Sequence, residues 1–174
     1  SIRKGWFIMT YAVVYSSRTG NTRLLAETIR EQLPAGDCLY FGAPSPEALK
    51  AEMIFCGFWT DKGTCDENVA SFLGSLKQQR VFLFGTAGFG GDPAYFEKIL
   101  NTVKQRLSPS VSLCGGFLCQ GKMPEGVRRR YEAMPDSPAR QSMLENFDRA
   151  LSHPDASDLE SLRASVSQAL TANA

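Results

Sequence analysis

A run of hydroxyls broken by one glycine, Ser16-Ser17-Arg18-Thr19-Gly20-Asn21-Thr22, lies between an apolar stretch at 11–15 and a helical pattern that starts at Thr22. Backbone N–H groups at the start of a helix are unpaired and carry partial positive charge, so such a turn makes a cradle for a phosphate, with the hydroxyls as further neutral donors. The spacing G-x4-G-K-[ST] is absent, which removes the lysine that reaches the β- and γ-phosphates of a triphosphate. A C-x5-R phosphatase loop is absent as well, and no G-x-G-x-x-G follows the first apolar stretch. What the turn predicts is a terminal monophosphate, bound rather than cleaved.

Two further loops carry unusual residues. "FGTAGFGGDPAY" (84–95) places Phe89 among Gly85, Gly88, Gly90 and Gly91, with Thr86 as a hydroxyl. Glycines let the backbone come close to a flat ligand, and an aromatic flanked by glycines in a turn is better placed to stack than to fill a core. Tyr95 is a second aromatic, inside a helix pattern and expected in the core. "GFWTDKGTCDEN" (57–68) holds Trp59, Asp61, Lys62 and Gly63. By contrast, His153 is the only histidine and no CxxC pair exists, so a zinc or redox-dithiol site has little material. The five cysteines, Cys38, Cys56, Cys65, Cys114 and Cys119, are odd in number and fall mostly in apolar runs, as reduced core thiols of a cytoplasmic protein would.

The elements that must position these loops follow from periodicity. Apolar β-rich runs recur at 11–15, 39–41, 53–58, 81–84 and 111–118, with helical patterns between most of them. "TRLLAETIREQL" puts Leu24, Leu25, Thr28, Ile29 and Leu33 near one face; helices are also expected over 66–76 and 93–107, the latter capped by Asp92 with Pro93 in its first turn. Strands alternating with helices imply an α/β fold, a parallel sheet covered on both faces in a three-layer α/β/α arrangement. Length favours five strands in the order 2-1-3-4-5, whose switch point between strands one and three collects the loops 16–22, 57–65 and 85–92.

The chain of 174 residues and 19.1 kDa suits one domain, and a net charge of +1 from 19 basic and 18 acidic residues argues against nucleic-acid binding by backbone neutralisation. The basic-then-apolar opening imitates a signal peptide without a cleavage site; Met9 is expected as a natural start, with residues 1–8 an upstream extension and no membrane segment. Downstream, 120–174 reads as a C-terminal extension packed on the same domain. Residues 122–140, with Pro124, Pro135, Pro138 and the triplet Arg128-Arg129-Arg130, form a loop with a short helix there. That helix is read first as a solvated charged face; the alternatives are docking of an acidic partner and covering of the cofactor edge. Helices over 141–151 and from Asp155 or Ser157 onward complete the chain.

The chain resembles the flavodoxin family, whose phosphate loop reads [ST]-x-T-G-x-T, matched at every fixed position by Ser17-Arg18-Thr19-Gly20-Asn21-Thr22. The resemblance covers about 11–119 and is closest to the short-chain type, because the fifth strand runs without an inserted segment. It implies FMN as cofactor, its phosphate on Ser16, Ser17, Arg18, Thr19, Gly20, Asn21 and Thr22. The ring is then expected between Phe58, Trp59, Thr60, Asp61, Lys62 and Gly63 on one side and Thr86, Ala87, Gly88, Phe89, Gly90 and Gly91 on the other. Gly63 would carry the peptide that in the family turns on one-electron reduction, and Lys62 a cation that stabilises reduced flavin. Two departures stand out: Asp61 occupies the place where family members carry an aromatic, and the chain is nearly neutral where flavodoxins are acidic.

The function implied is that of a soluble electron carrier, expected as a monomer, between a reductase donor and an acceptor enzyme. The tail resembles that of a subgroup some of whose members accompany bilin-reducing enzymes. The alternative is an FMN-dependent two-electron NAD(P)H or quinone oxidoreductase on the same fold, and a flavin-free interaction domain is a third reading.

Overall fold

Near-continuous apolar runs become the inner strands of a parallel sheet because both of its faces are covered, while the edge strands keep exposed positions such as Leu39. The computed structural model describes residues 9–172; the expected extension at 1–8 lies outside them. The strands are β1 (Tyr11–Tyr15), β2 (Cys38–Gly42), β3 (Met53–Trp59), β4 (Arg80–Ala87) and β5 (Ser112–Gln120). They pair in parallel, as the alternation of strands and helices predicts, in the order β2-β1-β3-β4-β5, which the length of the chain favoured. The helices are α1 (Asn21–Gln32), α2 (Glu67–Ser75), α3 (Pro93–Lys104), α4 (Glu125–Glu132), α5 (Pro138–Ala150) and α6 (Ala156–Ala172), with short 3-10 turns at Ala35–Asp37 and Pro46–Lys50.

Side chains alternate across the sheet and divide the core in two. Ala12, Val14, Ile54, Cys56, Leu83, Leu73, Ile99 and Val103 form one half, with α2 and α3. Tyr11, Val13, Phe55, Phe82, Phe84, Leu25 and Ile29 form the other, together with Leu162, Val166 and Leu170 of α6. The C-terminal extension thus fills the second face beside α1. Leu25, Thr28, Ile29 and Leu33 face inward as the periodicity predicts, whereas Leu24 is 37% exposed, because a buried stripe only about 100° wide leaves the fifth position outside.

The caps follow the expected chemistry. Asp92 accepts from the Ala94 N–H at 2.9 Å, with Pro93 in the first turn of α3. Asp155 and Asp158 form a reciprocal box at the start of α6, the Asp158 N–H donating to Asp155 Oδ1 at 2.9 Å and the Asp155 N–H to Asp158 Oδ2 at 2.8 Å. Among the cysteines, Cys56, Cys65 and Cys119 are buried, and burial pushes their thiols up, away from the reactive thiolate. Cys38 and Cys114 are only partly buried, a correction to the core assignment.

Candidate functional site

The loops after β1, β3 and β4 meet at the carboxyl ends of the strands, where the topology reverses between β1 and β3. They surround a cavity of about 340 Å³, at the small end of the roughly 300–1,000 Å³ usual for ligand pockets. Of the expected residues, Arg18, Thr19, Asn21, Trp59, Thr60, Asp61, Lys62, Gly63, Thr86, Ala87, Gly88 and Phe89 line it. Ser16, Ser17, Gly20, Gly90 and Gly91 do not border the cavity but lie in the same loops.

Gly20 caps α1 in the left-handed conformation (φ 90°), which only glycine adopts freely, and so starts the helix without a side-chain cap. Of the first N–H groups of α1, that of Arg23 donates to Ser17 Oγ, and those of Asn21 and Thr22 face the turn where an anion would sit. Ser16 donates its N–H to the Gly57 carbonyl at 3.1 Å, and Ser17 Oγ accepts from the Arg23 N–H at 3.3 Å. Two of the expected residues turn their side chains to the protein itself. Thr22 is fully buried and its hydroxyl donates to the Phe58 carbonyl at 3.1 Å, 3.3 Å from Thr86 Oγ1, so it ties the loop to β3 and β4 instead of facing a ligand. Phe58 packs its ring in the core, because alternation along β3 turns it away from the face that Trp59 takes.

After β3 the chain makes a tight turn. Asp61 and Thr64 exchange both backbone hydrogen bonds, at 2.8 and 3.1 Å, around Lys62 (φ 52°) and Gly63 (φ 82°). Positive φ at both central positions is the turn type that matches strand twist, and Lys62 holds it at a cost that glycine would avoid. Trp59 lies beside the cavity with the Arg18 guanidinium 5.5 Å from its ring centroid, a cation–π contact. Phe89 is 43% exposed at the opposite side, and Tyr95, expected in the core, both packs against the core and borders the cavity.

The fourth side was read from the sequence only as an alternative, with no residue of it assigned. Gly121, Lys122, Met123, Pro124, Val127, Arg130 and Tyr131 complete the lining. The Lys122 carbonyl accepts from Asn21 Nδ2 at 2.8 Å and lies 3.4 Å from the Thr19 hydroxyl, while the Gly121 N–H donates to the Ala87 carbonyl at 2.9 Å. A Cβ on Gly121 would come within 2.5 Å of the Asn21 amide, so the approach requires glycine. The basic triplet divides its work. Arg128 pairs with Glu132 and with Asp148 of α5, each at 3.2 Å, and fixes α4; Arg130 borders the cavity. The helix therefore is not simply a solvated charged face; of the three readings, the one over the cofactor edge matches its position. Prolines and a charge run mark a loop and say nothing of which side of the sheet it returns to, which is why the pattern could offer the edge only as an alternative and name none of these residues for it.

The lining fits a flat, phosphorylated ligand. Arg18, Lys62, Lys122 and Arg130 face one carboxylate, Asp61, so a bound anion meets a net positive surface. The Thr60 hydroxyl is buried with no hydrogen-bond partner, a group that costs about 1–3 kcal/mol until a polar ligand edge meets it.

A switch-point cavity beside a helix amino terminus, lined in part by aromatics, places the chain among doubly wound α/β proteins and suits a phosphorylated, planar ligand. A flavodoxin domain matches residues 12–167, and the chain belongs to the flavodoxin family. FMN is the cofactor of that family. The chain is 42% identical over 172 aligned positions to the flavodoxin-like domain-containing protein BilS of Clostridium symbiosum (strain WAL-14163), covering 87% of this chain and 90% of that protein. It is 30% identical over 162 positions to the BilS protein of Clostridioides difficile (strain CD3), with the same coverages, 87% and 90%. Among solved structures, oxidised Flavodoxin 2 from Bacillus cereus superposes with a TM-score of 0.51 at 20% identity, over 81% of this chain and 96% of that one. The apo form of the NADH:FMN oxidoreductase EMOB gives 0.50 at 16% identity, over 86% and 98%. Likeness at those identities shows the fold alone.

Proposed function

We propose that this chain is an FMN-binding electron carrier that takes electrons from a reductase and passes them to a redox enzyme. The phosphate end of FMN is held by the N–H groups of 17–22 with Ser17, Thr19 and Arg18; Trp59 and Phe89 flank the ring; FMN supplies the redox chemistry. The observation that carries this reading is the composition of the lining: it holds four cations, one carboxylate and aromatics, with no histidine or cysteine to serve as a proton-transfer or nucleophilic group beside a substrate. The acceptor is proposed to be a bilin-type reductase, on the strength of the tail that the sequence shares with that subgroup. The protein works in the cytoplasm. Among the described residues, no helix is long and apolar enough to cross a membrane.

A second reading is favoured by one feature. Carriers leave the ring edge open for docking, whereas here residues 121–131 wall the cavity, as in a two-electron NAD(P)H or quinone oxidoreductase that must enclose a substrate. Anaerobic titration of the holoprotein separates the two. Reduction by dithionite in two resolved one-electron steps, with slow reduction by NADH or NADPH, supports the carrier. Fast, complete reduction by a nicotinamide in one step supports the enzyme.

A further inference from the structure

The carbonyl of Gly88, in the loop after β4, accepts two side-chain hydrogen bonds, from Gln120 Nε2 at 2.9 Å and from Asn146 Nδ2 at 3.0 Å. The two amides are also bonded to each other, Gln120 Nε2 donating to Asn146 Oδ1 at 3.0 Å. Asn146 belongs to α5 and is only 6% exposed. A buried amide is costly to the fold unless its donor and acceptor are both matched, and here each of them is. The loop makes room for the network, because a Cβ on Gly90 would come within 2.6 Å of Gln120 Oε1.

What this network fixes is the direction of one peptide plane. The cis bond of the described residues is His153–Pro154, so the Gly88–Phe89 bond is trans, and in a planar trans peptide the N–H points opposite to the carbonyl. Gly88 and Phe89 border the cavity, and Gln120 and Asn146 do not. We propose that Asn146 and Gln120 are positioning residues: they hold the Gly88 carbonyl away from the cavity and thereby hold the Phe89 N–H toward it, as a fixed donor to the polar edge of the isoalloxazine. A turn with glycines at 88, 90 and 91 would otherwise rotate this peptide at little cost. Fixing it beforehand removes an ordering cost from binding. The ring-end donor of this family member is thus set by its C-terminal extension, a role distinct from the phosphate end. The proposal rests on FMN being the ligand.

Asn146→Asp keeps the shape but replaces the donor with an oxygen that repels the Gly88 carbonyl, and Gln120→Met removes the second donor at similar volume. The apoproteins are titrated with FMN and with riboflavin by flavin fluorescence, and the Phe89 amide resonance is followed by 15N–1H NMR. We expect both variants to lose affinity for FMN and riboflavin by the same factor, about tenfold for Asn146→Asp. The Phe89 amide should shift on binding in the wild type and lose that shift in Asn146→Asp. Unchanged affinity for both flavins with the Phe89 shift retained, or a loss confined to FMN, overturns the proposal. Should Asn146→Asp fail to fold, Gln120→Met decides alone by the same readings. A wild-type protein that titrates with neither flavin overturns the cofactor assignment and the proposal together.

Discussion

Asn21 and Thr22 are neighbours in one turn, yet their side chains fasten that turn to two different parts of the molecule. Thr22 reaches inward to the Phe58 carbonyl and Thr86, joining the phosphate loop to the ends of β3 and β4. Asn21 reaches outward to the Lys122 carbonyl, joining the same loop to the extension that follows β5. Both letters belong to a phosphate-binding motif, and both side chains serve as scaffolding, which leaves the backbone N–H groups at the start of α1 to meet the anion. The comparison shows that the flavin loops are held jointly by the core and by the extension. The Gly88 loop repeats the arrangement, since its carbonyl is held by Gln120 of β5 and Asn146 of α5.

The largest test of that equality is Phe147→Ala. Phe147 of α5 is 1% exposed, and the Arg128 guanidinium of α4 lies 5.9 Å from its ring centroid. Emptying this position should cost about 3–5 kcal/mol, the usual range for a buried phenylalanine. Because α5 and α6 share the fold with the core, urea unfolding followed by circular dichroism and by release of bound FMN should remain one transition at a lower midpoint. Two separated transitions, with FMN kept through the first, would show the extension to be an appendage that the flavin loops do not need.

The two regions also differ in how far they were legible beforehand. The strands were readable because parallel strands covered on both faces leave unbroken apolar runs, and the structure mostly lengthened them: β4 extends to Ala87 where the pattern stopped at 84. The phosphate loop was readable because helix amino termini and glycine turns have local chemistry. What was not legible depends on contacts between residues far apart in the chain. Thr22 carries a hydroxyl whether it faces a phosphate or Phe58, and nothing local tells the two apart. Asn146 sits in a polar stretch of α5 as any surface asparagine would, although it is buried, and Gln120 ends a strand whose partner loop lies 32 residues back. Periodicity places a side chain on a face; it does not say which distant carbonyl that face meets.

A sharper version of the comparison sets the two neighbours against each other. Thr22→Val keeps the shape and deletes the hydroxyl, leaving the Phe58 carbonyl short of a donor in a buried place, which should cost about 1–3 kcal/mol. Asn21→Ala deletes one hydrogen bond to a carbonyl that the Thr19 hydroxyl also approaches, worth about 0.5–1.5 kcal/mol net. Urea midpoints should therefore fall further for Thr22→Val. The reverse order would mean that the loop depends chiefly on the extension.

The smallest expected effect lies where the extension is itself supported, at the turn between α5 and α6. The His153 carbonyl accepts the Lys122 N–H at 3.0 Å, so this turn holds the segment that Asn21 grips. The turn is fixed in its place by the Asp155–Asp158 box and by His153 Nδ1, 2.6 Å from Asp158 Oδ2. The Asp158 backbone N–H is the main cause holding the Asp155 carboxyl below its ordinary value of 3.8, with the nearby His153 adding to it. A carboxylate favoured by the folded state adds stability that is fully present above the unfolded value and disappears as pH falls through the lower, folded one. Asp155→Asn keeps a capping oxygen and removes the titration. The difference in melting temperature between wild type and Asp155→Asn should accordingly be constant from neutral pH down to about 5 and close below about 4. A gap that persists in strong acid would show that the cap acts by geometry alone, and a gap that closes at neutral pH would place the titrating group elsewhere in the turn.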